Sequence, residues 1–252
     1  MRSALVLIIV LSLGVAARDA RAARKCPGDS VRVGSVCVDR YEASVWRITD
    51  KRTIKKVVSG KVTARKQIAG SAAYFNSFHF GDEVGCPDNG GGCLDFYALS
   101  LPGVGPAAGL TWFQAAAICR NSGKRLATNQ EWQMAALGTP SGLGPCFSPG
   151  PPQRATGDRP DCVSDLGAFD MAGNVAEWVA DWVPLQRCVG WGPFSNDIMC
   201  FGAPSTAATT AAALVRGGGF ASPDLAGPFG IDARLPVYAT ADDVGFRCVR
   251  EP

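Results

Sequence analysis

Ten cysteines constrain this chain more than any other feature. They stand at positions 26, 37, 86, 93, 119, 146, 162, 188, 200 and 248 of a 252-residue chain. An even number behind an apolar leader reads as a disulfide framework, because exported chains oxidise their thiols whereas cytosolic chains keep them reduced. Several cysteines are near neighbours, in CPGDSVRVGSVC, in CPDNGGGC, and at Cys188 and Cys200. The expected pairs are Cys26–Cys37, Cys86–Cys93, Cys146–Cys162 and Cys188–Cys200, with Cys119–Cys248 as the one long-range staple, although spacing alone does not fix connectivity. No C-x2-C pair occurs, so zinc held by thiolates is not expected.

The leader MRSALVLIIVLSLGVAARDARAARK has a basic start at Arg2, an apolar run from Ala4 to about Ala17, and Ala20-Arg21-Ala22 as an A-x-A cleavage site. It reads as a Sec-type signal peptide over residues 1–22, leaving one domain over 23–252 that is secreted or periplasmic. The alternative, an uncleaved anchor, needs a span of about 20 apolar residues, and the run is shorter. Ala23-Arg24-Lys25 before Cys26 is not a lipobox. Cleavage removes three arginines and one aspartate, taking the net charge from +3 to +1. A nearly neutral chain gives no electrostatic reason to expect nucleic acid or a membrane surface as partner. One histidine, His79, cannot build a site that needs two or three imidazoles.

Residues 36–48, VCVDRYEASVWRI, read as an early strand or hairpin. The basic stretch 50–67 reads as a solvated hairpin around Ser59-Gly60, and 100–110 as an irregular connection rich in proline and glycine. Thr111 caps a helix that stops at Asn121-Ser122-Gly123, and Thr128 with Glu131 forms a capping box for a second helix ending at Gly138. Residues 139–160 and 183–213 read as loop, and ALVRGGGF, IDARLPVYA and VGFRCVR as closing strands. Two short helices among scattered strands are not a βαβ alternation.

Between those pieces lies DMAGNVAEWVADW, residues 170–182, which concentrates Asp170, Gly173, Asn174 and Glu177 before Trp178 and Trp182. Hard oxygen donors on a tight turn suit calcium, which takes six to eight of them. Capping of a turn by Asp170 and Asn174, with Glu177 in an ion pair, is the competing explanation. Trp178 and Trp182, four residues apart, are expected to pack as core.

Four ordered segments resemble the formylglycine-generating enzyme (sulfatase-modifying factor) family: VDRYEAS; GLTWFQAAAICRNSGKRLATNQEWQMAALG; LGAFDMAGNVAEWVADW; and VRGGGF…DARLPVYATADDVGFRCVR. The resemblance covers roughly residues 30–250 and implies an α+β domain with low regular secondary structure, the family's disulfide-stabilised variant of the C-type lectin fold. It also implies calcium ligands at the Asp170 side chain, the Gly173 and Val175 carbonyls, and the Glu177 carboxylate.

The family's signature chemistry oxidises a sulfatase cysteine to formylglycine with molecular oxygen and copper held by two thiolates, in the pattern R-G-G-S-W-x-C-x4-C. Here that run is Arg216-Gly217-Gly218-Gly219-Phe220-Ala221-Ser222, and Gly227 stands at the second cysteine position. The indole often found inside GNVWEW is Ala176. Soft Cu(I) needs soft ligands, so copper is not expected. The iron-dependent relatives need a histidine-bearing domain that this sequence does not contain. Two functions follow: a binding or structural module for an unknown protein or small-molecule ligand, recognised through residues 183–213 and 219–232, or an oxidoreductase of altered chemistry acting on a protein thiol or secondary metabolite. Candidate catalytic residues are Ser222, Asp224, Asp232 and Arg234, with Glu177 added if calcium does not take it. Asp224 and Asp232 are alternatively paired with Arg234 or Arg247.

Overall fold

The computed structural model describes residues 25–75, 85–141, 144–147, 153–184, 189–190, 198–200 and 211–252. The expected signal peptide, His79 and Cys188 lie outside these residues.

Three sheets carry the chain. The first joins β1 (Ser30–Val33), β2 (Val36–Asp39), β13 (Cys248–Arg250) and β6 (Arg125–Leu126), so the closing strand lies between the opening hairpin and the middle of the sequence. The second has the order β12 (Val244–Phe246), β7 (Ala176–Pro184), β10 (Ala211–Gly217), β11 (Gly227–Asp232), β9 (Ile198–Cys200) and β8 (Val189–Gly190). In it β12 runs parallel to β7, and β9 parallel to β11. The third is β4 (Ala72–Phe75), β3 (Ala43–Ile48) and β5 (Phe96–Ser100), all antiparallel.

Two helices begin where the caps predict. In α2 (Trp112–Asn121) the Thr111 hydroxyl accepts from the Gln114 N–H, and Gln114 returns the bond to Thr111. In α3 (Asn129–Ala135) Thr128 and Glu131 do the same. A third helix, α1 (Lys51–Val58), replaces the hairpin expected at 50–67. Asp50 is its N-cap, accepting from the Thr53 N–H at 2.7 Å. Thr53 and Val57, four residues apart, turn inward while the lysines face solvent. The basic composition concealed a helix with a narrow buried stripe.

The DMAGNVAEWVADW segment runs from its turn into a strand, Ala176 to Pro184. Its residues alternate between two cores. Ala176, Trp178 and Ala180 pack with Leu110, Ile118, Val215 and Phe246, while Val179 and Val183 face the cluster of Trp132, Leu214 and Val249. A period of two with both faces covered explains the absence of helical spacing. Trp178 is fully buried and its indole N–H donates to the Leu110 carbonyl at 3.0 Å. Trp182 differs from the core expectation: it is 46% exposed and stands edge-on to Trp112 and Phe113. A third core gathers Trp46, Ile48, Val57, Ile68, Leu99 and Leu101 around β3 and β5.

Disulfides join Cys26–Cys37, Cys86–Cys93, Cys119–Cys248 and Cys146–Cys162, four of the expected pairs. The expected Cys188–Cys200 pair involves Cys188, which lies outside the described residues. Cys119–Cys248 ties α2 to β13 across 129 residues of sequence. Closing so long a loop in the unfolded chain corresponds to about 4–5 kcal/mol by chain entropy. The double variant Cys119→Ala/Cys248→Ala is therefore expected to lose about 2–5 kcal/mol in urea unfolding, more than the short-loop pair Cys86→Ala/Cys93→Ala; equal losses would contradict the entropic account.

Candidate functional site

The turn before β7 sets the geometry of the site. Asp170 and Asn174 both adopt positive φ, at 56° and 59°, a conformation their short polar side chains tolerate. Gly173 cannot be replaced cheaply: a Cβ there would lie 2.7 Å from the Cys146 carbonyl oxygen, at a φ of 75°. The turn is stitched to the end of β10, because the Gly173 N–H donates to Gly217 at 3.0 Å and the Phe220 N–H donates to Asn174 at 2.8 Å. Those two bonds fix where the Gly219–Gly227 loop begins.

Behind the turn sits a buried charge group. The Glu177 carboxylate accepts from Arg247 Nε and Nη2, each at 2.6 Å, and from the Trp132 indole N–H at 2.7 Å. Arg247 also donates to the carbonyls of Asp39 and Phe169. Burial works against the charged guanidinium, and the charge and hydrogen bonds of Glu177 more than offset it, so the Arg247 pKa is raised. Glu42, fully buried, accepts from the Val175 N–H at 3.0 Å and from the Asn174 side-chain amide. Burial first, then the charges of Asp170 and Glu177, lift its pKa well above the usual carboxylate range. Asp170 accepts from the Gly157 N–H at 2.7 Å, and burial raises its pKa to about 6. Glu42 lies in the quoted VDRYEAS, yet its role was hidden because its partners come from more than 130 residues away.

This arrangement bears on calcium. Of the four expected ligands, Glu177 has both oxygens occupied by Arg247 and one also by Trp132, so a set that includes it does not fit a cation. A divalent ion there would displace a buried guanidinium or stand beside it. Asp170 and the carbonyls of Gly173 and Val175 are what remains on that turn. Among the described residues no group of three or more acidic, cysteine or histidine side chains converges as a metal site.

A cavity of about 110 Å³ opens between β7, β10 and the loop after β10. It brings together three of the four catalytic candidates, Ser222, Asp232 and Arg234, with aliphatic walls from Val215, Leu225 and Val244. Asp224 does not line it; it sits exposed in the single 3-10 turn that follows Ser222. Asp232 and Arg234 form an ion pair, with the guanidinium donating to both carboxylate oxygens at 2.9 and 2.7 Å. The pairing of Asp232 with Arg234 is the alternative the sequence raised; Arg247 belongs instead to Glu177. Sequence reasoning missed Asp243, whose carboxylate accepts from the Ser222 hydroxyl at 3.0 Å inside the cavity. Its signal was the Asp242-Asp243 pair just before the closing strands.

Arg216, which opens the RGGGF run, is not available to a ligand. It lies over the Trp132 ring at 4.4 Å, donates to the Gly230 and Pro228 carbonyls, and reaches Asn129 and Gln133. It anchors the loop that carries Ser222.

Residues 146–252, which include this turn and cavity, match the sulfatase-modifying factor enzyme 1-like domain. Over that closing part of the chain, less than half of its length, the sequence is similar to that family. The formylglycine-generating enzyme of Thermomonospora curvata is 27% identical over 174 residues, covering 58% of this chain and 56% of that protein. The serine/threonine-protein kinase pkn1 of Chlamydia pneumoniae is 40% identical over 85 residues, 31% of this chain and 14% of that protein. The chain thus spans less than two thirds of either relative. Among solved structures, the Major Tropism Determinant I1 variant shares the fold at a TM-score of 0.52 and 17% identity, covering 90% of this chain and 53% of that one. The sheet-dominated, disulfide-stabilised fold with few helices is the formylglycine-generating-enzyme variant of the C-type lectin fold.

Removing one partner of a buried ion pair leaves an uncompensated charge. Arg247→Met is expected to cost about 3–5 kcal/mol in urea unfolding, and the double variant Arg247→Met/Glu177→Met less than that. A double variant as damaged as the single would show that Glu177 is held by something other than Arg247.

Proposed function

We propose that this chain is an exported sulfatase-modifying-factor-like domain that acts as a recognition module without copper-thiolate oxidation. One observation carries the reading: among the described residues, the cavity at the end of the RGGGF run is lined by a hydroxyl, two carboxylates, a guanidinium and aliphatic side chains, with no sulfur. Ser222 stands where the resembling family has its first cysteine, and its hydroxyl is committed to Asp243. Gly227, at the second position, has no side chain to offer. Hydroxyl and carboxylate oxygens are hard donors and do not hold Cu(I). The four disulfides support export, since such bonds persist in oxidising compartments. Among the described residues no helix is long and apolar enough to cross a membrane.

The purified chain, supplied with copper or iron and a cysteine-containing peptide, is expected to consume no oxygen beyond the metal-and-thiol blank. Uptake that disappears in Ser222→Ala or Asp224→Ala would replace this reading with an oxidoreductase of altered chemistry.

Calcium enters in reduced form, as a structural ion on Asp170 and the Gly173 and Val175 carbonyls, with Glu177 left to Arg247. Added calcium should then raise the melting temperature of the wild-type chain, EDTA should reverse the rise, and Asp170→Asn should abolish it. A melting temperature indifferent to both reagents removes calcium from the account.

A further inference from the structure

Two departures from the R-G-G-S-W-x-C-x4-C pattern, at 219 and 222, meet at one carboxylate. Ser222 donates to Asp243. A Cβ on Gly219 would lie 2.7 Å from Asp243 Oδ2 and 2.5 Å from its carbonyl oxygen, so any side chain at 219 excludes Asp243 from its present place. Gly227 sits opposite Gly217 in the β10–β11 pairing and adds no bulk. Losing the side chain at 219 and gaining a hydroxyl at 222 lets an acid stand against the loop.

That acid has no counter-charge. Asp243 is more than nine-tenths buried, at 8% exposure, and lines the cavity. Among the described residues no lysine or arginine forms an ion pair with it, and its one side-chain hydrogen bond is to the neutral Ser222 hydroxyl. The other acid lining the cavity, Asp232, is neutralised by Arg234, which binds it through the backbone N–H, Nε and Nη2. The cavity therefore carries one uncompensated negative charge, and a carboxylate so placed favours a cation that can also fill the space.

We propose that this cavity binds a primary alkylammonium group, with Asp243 as its counter-ion and Ser222 as a second polar contact. The volume of about 110 Å³ is several times the roughly 10–15 Å³ that a single water needs, enough for an ammonium head on a short alkyl stem. Ala176, Val215, Leu225, Leu235 and Val244 supply an aliphatic wall for the stem. Ammonium has three donors and no acceptor, which suits a carboxylate and a hydroxyl lone pair. A quaternary ammonium finds no aromatic cage here, because among the described residues no aromatic side chain lines the cavity. A hard divalent ion needs six to eight oxygens, and both Asp232 oxygens are engaged. The ammonium has two possible sources, a free small amine or a lysine side chain on a partner protein.

The inference rests on the recognition-module reading, so the test separates the two. Calorimetric titration of the whole chain with n-butylammonium, with n-butanol, and with a peptide carrying either lysine or norleucine measures the charge requirement directly. Butylammonium or the lysine peptide should bind at least tenfold more tightly than its neutral counterpart. Asp243→Asn should remove that preference, and Ser222→Ala should weaken it several-fold. Tighter binding of the lysine peptide assigns the site to a protein partner, and tighter binding of the free amine assigns it to a small metabolite. Equal binding of the neutral and charged probes, no binding of either, or an unchanged preference in Asp243→Asn overturns the inference. Should Asp243→Asn fail to fold, the neutral-versus-charged comparison on wild type decides alone. Oxygen uptake measured on the same samples overturns the module reading itself; absent uptake with no charge preference overturns only the amine site.

Discussion

The buried pair of Arg247 and Glu177 is the constraint on which the rest depends. Arg247 belongs to the closing GFRC segment between β12 and β13, and Glu177 to β7 in the central sheet. Through the Asp39 and Phe169 carbonyls and the Trp132 indole, the same two side chains tie in β2, the DMAGN turn and α3. Ladders already join β12 to β7 and β13 to β2; the ion pair adds the tie between those two sheets, the turn and α3. A guanidinium with several fixed donors can satisfy carboxylate and carbonyl oxygens arriving from separate parts of the chain, which a hydrophobic contact cannot do with the same directionality. A second buried group does similar work in the first sheet, where Lys124 meets Asp39 at 2.6 Å and Arg250 meets Asp29 at 3.3 Å.

That constraint explains the opposite fates of the two acidic neighbourhoods. Glu177 is paired, so its region is a rigid support for the turn. Asp243 is unpaired and faces a cavity, so its region has chemistry left over. The distance in sequence between β7 and Asp243 is bridged by the parallel pairing of β12 with β7, in which Val244 stands opposite Ala176. The Ala176 N–H also donates to the Asp243 carbonyl at 2.7 Å, which fixes the backbone from which the acid projects.

Much of the fold was legible because it was written locally. Capping boxes at Thr111 and Thr128 announce their helices within four residues, and the short disulfide loops announce their pairs. The helix at Lys51–Val58 escaped because its buried stripe is only Thr53 and Val57 and its composition looks solvated. The Ala176–Pro184 strand escaped because both faces are covered, so no polar alternation marks it. The site was legible in part: Ser222, Asp232 and Arg234 line one cavity, but Asp243 and Glu42 act through contacts far along the chain that no spacing rule encodes. Asp224 stands two residues from Ser222, but the 3-10 turn carries it outward.

The residues that make the chain resemble the sulfatase-modifying factor family are largely spent on holding it together. Glu42 orients the turn, Glu177 and Arg247 pair with each other, and Arg216 packs on Trp132. None of them faces the cavity. The positions that do face it, or that shape its loop, are where the sequence departs: Gly219, Ser222 and the approach of Asp243. Scaffold and site are therefore separable in this fold, because the loop from Gly218 to Gly227 hangs from Arg216 and from the Asn174 carbonyl rather than from its own side chains. A loop supported from outside can exchange its donors without unfolding the domain, so resemblance in the supporting residues carries the architecture and leaves the chemistry to be read from the cavity itself.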